Sequence, residues 1–120
     1  MSVCVAVTDS AEGQAALDAA AKEAVQLSVP LVAVNLTGSD LDTSAMDLEL
    51  QCEVVVPDGP PDLDEVQQVL QVLESRPEIN RLVVGVRKRS AIGKAVLGSI
   101  PQRLILEANV PVLSVKANDG

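Results

Sequence analysis

Three glycines and four basic residues share one short stretch, VVGVRKRSAIGKAVLGS, at residues 83–99. Arg87, Lys88, Arg89 and Lys94 fall within eight positions, in a chain with only 9 Lys and Arg against 17 Asp and Glu. They follow an apolar run and are interleaved with Gly85, Gly93 and Gly98. Glycine allows a ligand to approach the backbone closely, a helix start offers free N–H groups and a favourable dipole, and Arg or Lys neutralises phosphate. Gly85 ending a strand and Gly98-Ser99 opening a helix therefore have the parts of an anion site. The same residues also read as turn and cap glycines beside solvated charges, and both readings stand at this point.

Composition removes several other chemistries. The chain has no histidine, so neither a Ser-His-Asp nor a Cys-His arrangement can be built, and the commonest metal ligand is missing. It has no aromatic residue either, so a planar ligand would be held by aliphatic walls and backbone groups. Cys4 and Cys52 show no C-x-x-C spacing and read as small buried hydrophobes. The net charge of −8 argues against nucleic acid or an anionic membrane as the main partner. Charge is nevertheless divided: residues 1–80 carry 15 acids and 2 bases, residues 81–120 carry 7 bases and 2 acids. A small anion is thus still compatible with the C-terminal third. No apolar run approaches the roughly 18 residues of a membrane span, and the N-terminus lacks the basic region and processing site of a signal peptide. A soluble, cytoplasmic protein is the expectation.

The elements that must position these residues are legible from apolar runs and periodicity. VCVAV (3–7), PLVAVNL (30–36), CEVVV (52–56), RLVVGV (81–86) and PVLSVK (111–116) read as strands. Leu17, Ala20, Ala21, Ala24 and Leu27 line one face of a first helix, capped by Ser10 or Asp9. Leu63, Val66, Val69, Leu70 and Leu73 mark a second, with Pro60 and Pro61 at its entry. Ser99 can cap a third over 100–108, with Pro101 in its first turn. The roughly 14 residues between the second and third strands just satisfy a parallel crossover, so the intervening helix must be short. Near-continuous apolar strands alternating with helices predict an α/β fold: one domain over 1–120 with an open, five-stranded parallel sheet and helices on both faces. Right-handed crossovers favour the order 3-2-1-4-5, with the ligand site where strands 1 and 4 part, at TDS and VRKRSAIG. In that order Cys4 and Cys52 flank strand 2, about 9–10 Å apart at two strand spacings, too far for a disulfide.

Familiar phosphate motifs fail. There is no G-x-G-x-x-G, and Gly93-Lys94 lacks the earlier glycine and following Ser or Thr of a P-loop. A phosphorylatable receiver would place Asp9, Asp58 and Lys116 after strands 1, 3 and 5, yet Asp9 has no acidic neighbour and no helix follows Lys116.

Two segments, VAVTDSAEGQAALDAA and VVGVRKRSAIGKAVLGSIPQRLILEANVPVLSVK, resemble the opening and the C-terminal third of the universal stress proteins. That resemblance implies an adenine nucleotide alpha hydrolase-like fold. The ATP-binding members carry G-x2-G-x9-G-(S/T). Gly85 matches the first glycine, Gly98-Ser99 the last pair, and Lys88 stands where the middle glycine would be. The resemblance further implies that Asp9 contacts ribose and phosphate, that Leu36 offers backbone contacts to adenine, and that the chain forms a homodimer through the last strand, 111–116. The implied ligand is an adenine nucleotide, ATP or AMP, with Mg²⁺ as a possible companion, cradled by Asp9, Leu36, Gly85, Arg87, Lys88, Gly98 and Ser99. The implied role is regulatory rather than enzymatic. The alternative is a dimeric interaction protein that has lost nucleotide binding through Lys88. An ATP pyrophosphatase is disfavoured, because no S-G-G-x-D loop follows strand 1.

Overall fold

The computed structural model describes residues 1–44, 46–47, 49–57, 63–88, 95–96 and 98–118. Its elements run β1 (Ser2–Val7), α1 (Ala11–Leu27), β2 (Leu31–Asn35), β3 (Cys52–Val55), α2 (Glu65–Ser75), β4 (Ile79–Lys88), β5 (Ala95–Val96), α3 (Ser99–Glu107) and β6 (Val112–Asn118). Five parallel strands lie in the order β3-β2-β1-β4-β6, so the predicted 3-2-1-4-5 arrangement holds. One strand escaped the sequence reading: β5, two residues long, pairs antiparallel with Arg87 and Lys88 at the end of β4.

Small and aliphatic side chains, pointing alternately up and down along each strand, supply both faces of the sheet. Cys4, Ala6, Val32, Val34, Leu82 and Val84 face α2 and α3 in one apolar cluster. Val3, Val5, Val7, Leu31, Ala33 and Val83 face α1 in the other. Every residue of β1 and β2 is buried, which is why both read as unbroken apolar runs. The buried face of α1 is Gly13, Ala16, Leu17, Ala20 and Ala24. Small side chains at that spacing let the helix lie close to the strands. Ser10 caps it by accepting a hydrogen bond from the Gly13 N–H at 3.0 Å.

Two helix expectations need correction. The second helix begins at Glu65, well after Pro61, because Asp64 and Gln67 form a reciprocal capping box that sets the start. Pro60 and Pro61 themselves lie outside the described residues. Between β2 and β3 the described residues form turns instead of a short helix. Asn35 Oδ1 accepts from the Thr37 N–H, Asp42 Oδ1 from that of Ser44, and Asp47 Oδ1 from that of Glu49. Short polar side chains thus take backbone donors that a helix would need. Leu41, Met46 and Leu50 from this segment cover the sheet where a helix would otherwise sit.

The cysteines are free, as the strand order required. Cys4 packs in the cluster under α2 and α3, whereas Cys52 packs on the opposite face. Burial pushes the Cys4 thiol up to about 12, against a smaller opposing effect of Arg76, so it stays protonated. Among the described residues, no helix is long and apolar enough to cross a membrane.

Candidate functional site

Where β1 and β4 part, their continuations leave on opposite faces: α1 to one side, α3 to the other. Between them lies a cleft of about 400 Å³. Its apolar wall is Ala6, Val84, Ile100 and Leu104, and its polar groups come from Thr8, Ser10, Glu12, Arg87 and Ser99. That volume falls within the roughly 300–1,000 Å³ usual for small-molecule sites.

Of the seven residues singled out from sequence, Gly85, Arg87, Gly98 and Ser99 line this one cleft. Asp9 is exposed, and neither it nor Leu36 is among the lining residues. Leu36 is half-buried against the α2–α3 cluster. Its N–H donates to the Val7 carbonyl at 2.9 Å, so any backbone contact it makes with a ligand runs through its own carbonyl. Arg87 and Lys88 are strand residues and not part of a loop, since β4 continues through Lys88. The Lys88 backbone is flanked by Ala95 of β5 and Asn118 of β6; its side chain lies outside the described residues, as do Arg89 and Lys94.

The two motif glycines do different work. Gly85 does not have a positive φ, and its missing side chain makes room for protein. A Cβ there would lie 2.0 Å from the Glu12 carbonyl oxygen, so α1 begins directly against the β4 backbone. Gly13 completes the seat, because a Cβ on it would lie 2.1 Å from the Thr8 carbonyl oxygen. Gly98 is under no such pressure: a Cβ there would meet only the Pro101 Cδ, at 3.6 Å.

Gly98, and not Ser99, is the N-cap of α3, and among the described residues no side chain caps the helix. Ser99 is the first helical residue. The first-turn N–H groups of Ser99 and Ile100 are therefore not closed off by a cap, while Pro101 has none to offer. A helix start in this condition favours an anion. Across the cleft, Arg87 Nε stands 3.8 Å from Glu12 Oε2 and is 55% exposed. Arg103 holds α3 in place by reaching the α2 cap, Asp64, at 2.7 Å and Glu107 at 3.2 Å.

Glu12 is a cleft residue that the sequence did not single out. Its position depends on how α1 lies along β4, with Glu12 opposite Arg87 and Glu23 paired with Arg81 near the other end. Nothing in local spacing announces that register.

Comparison with known proteins agrees with this architecture. The sequence profile described as "Universal stress protein family" matches residues 61–116. A universal stress protein of Mycolicibacterium smegmatis (strain ATCC 700084 / mc(2)155) is 31% identical over 119 residues, covering 87% of this chain and 88% of that one. Among solved structures, a universal stress protein from Archaeoglobus fulgidus superposes with a TM-score of 0.66 at 25% identity, over 97% of this chain and 98% of its own. Universal stress protein UspA from Lactobacillus plantarum shares the fold at 14% identity, with a TM-score of 0.66 over 96% and 97% of the two chains. The sheet order, the whole-length similarity and the profile match agree: this chain belongs to the universal stress protein family.

Proposed function

We propose that the protein is a regulatory module that binds an adenine nucleotide, ATP or AMP, in the cleft between α1 and α3. One observation carries this reading: the uncapped start of α3 at Gly98-Ser99 and the Arg87 guanidinium open onto the same cleft of about 400 Å³. An anion there gains backbone N–H donors, the helix dipole and a guanidinium together. In this reading the phosphates lie over Ser99 and Arg87. The base runs along the aliphatic wall of Ala6, Val84 and Leu104 toward Leu36, and the ribose lies over the β1–α1 turn, where the family resemblance puts Asp9. Among the described residues, no group of three or more Cys, Asp or Glu could hold a metal ion, so a Mg²⁺ ion would enter with the phosphates. The chain lacks histidine and, among the described residues, Glu12 is the one carboxylate lining the cleft, which favours binding over turnover. Isothermal titration with ATP, AMP and cyclic AMP tests the proposal. At least one should bind with Kd below about 1 mM, roughly 4 kcal/mol; no heat from any of them rejects it.

The second reading is a dimeric interaction protein that has lost the nucleotide, and it rests on Lys88 standing in the place of the family's middle glycine. Lys88→Gly separates the two. If the substitution creates ATP binding that the native chain lacks, the second reading is right; if it weakens existing binding, Lys88 is a phosphate ligand. Both readings include a homodimer through β6. That strand is an edge of the sheet, pairing with β4 alone among the described strands, and carries Leu113 at 44% exposure. An unpaired edge with an apolar side chain invites a second copy.

A further inference from the structure

We propose that Glu12 determines the specificity of this cleft: its carboxylate accepts a hydrogen bond from the ribose hydroxyls of a bound nucleotide and keeps the phosphates on the α3 side. This inference rests on the nucleotide reading and assigns the ribose contact to Glu12, since Asp9 is exposed and outside the cleft lining.

Three observations converge on Glu12. Its backbone is fixed, because its carbonyl oxygen lies in the space left by the missing side chain of Gly85. Its side chain is only 21% exposed and lines the cleft. Its Oε2 atom is buried and makes no hydrogen bond among the described residues. Arg87 Nε, at 3.8 Å, is near enough to attract the carboxylate but too far to donate to it.

The neighbouring acceptors are already engaged. Thr8 Oγ1 and Ser10 Oγ bond to each other at 2.8 Å, and Ser10 Oγ also accepts from the Gly13 N–H. An ionised carboxylate can only accept, and a buried acceptor without a partner is costly. The group that relieves it must therefore bring a donor. A ribose diol brings two. A phosphate brings net negative charge, so Glu12 repels it toward the open start of α3. One carboxylate thereby gives the cleft two unlike ends.

The test compares AMP with 2′,3′-dideoxy-AMP, and measures pyrophosphate separately, on the native chain, Glu12→Ala and Glu12→Gln. Circular dichroism confirms folding, and the Gln variant serves if the Ala variant does not fold. The native chain should prefer AMP by roughly tenfold, as expected for a hydrogen bond to a charged acceptor. Glu12→Ala should lose that preference, Glu12→Gln should weaken it, and both should bind pyrophosphate more tightly than the native chain. If AMP binds but the preference is absent, or survives in Glu12→Ala, or pyrophosphate binding is unchanged, the assignment of Glu12 falls while the nucleotide reading stands. If the native chain binds no nucleotide, both fall.

Discussion

Gly85 and Gly98 belong to one sequence pattern and line one cleft, yet they stand in opposite surroundings. At Gly85 a methyl group would lie 2.0 Å from the Glu12 carbonyl oxygen, so the fold itself requires the glycine. At Gly98 a methyl would make an ordinary contact of 3.6 Å with Pro101 and displace nothing. The α1 side of the cleft is tightly packed and carries Glu12, with Arg87 Nε 3.8 Å from its carboxylate, whereas the α3 side presents a helix start whose N-cap glycine has no side chain to cap it. The lesson is that a glycine motif can combine an architectural position with a ligand position. Only surroundings in three dimensions tell them apart.

Paired substitutions can break this contrast. Gly85→Ala should destabilise the chain by about 3 kcal/mol or more, because backbone must move to admit the methyl. Gly98→Ala should cost within about 1 kcal/mol, in the range of an N-cap change. Urea unfolding of both variants measures the difference, and equal losses would refute it. Gly98→Asp sharpens the point. Its carboxylate should cap α3, raise stability by roughly a few tenths of a kcal/mol and abolish nucleotide binding, because the helix start is then satisfied by the chain's own anion.

The smallest effect concerns the anchor of α3. The hydrogen bond from Arg103, followed by that from the Gln67 N–H, holds the Asp64 carboxyl below its ordinary range. A carboxyl depressed in the folded state contributes stability above its unfolded value, near about 4, and loses it as pH falls through the folded value. Asp64→Asn should therefore lower the melting midpoint at pH 7, and the gap from the native chain should narrow as the pH falls below the ordinary carboxylate range and through the folded value. A gap that persists in acid would mean that the Asp64–Arg103 pair contributes nothing.

Much of this fold was legible because it is written in local pattern. VCVAV and PLVAVNL announce buried parallel strands, and the right-handed crossover rule then limits their order. What was not legible depends on competition or on distance. The turns after β2 arise because Asn35, Asp42 and Asp47 take up backbone N–H groups, a balance that a crossover-length argument does not weigh. The start of α2 follows from a capping box that competes with an adjacent proline pair. In the site, the spacing of Gly85 and Gly98-Ser99 was readable from the chain. The approach of Glu12 to Gly85 was not, since it is set by the seating of α1 on β4, more than 70 residues away in sequence.

The amide spectrum of the ¹⁵N-labelled chain titrated with AMP tests the account most directly. It should show the largest shifts at the Ser99 and Ile100 N–H groups, and these should vanish in Gly98→Asp. Shifts that spare both amides while appearing elsewhere would contradict the claim that the open start of α3 receives the phosphate.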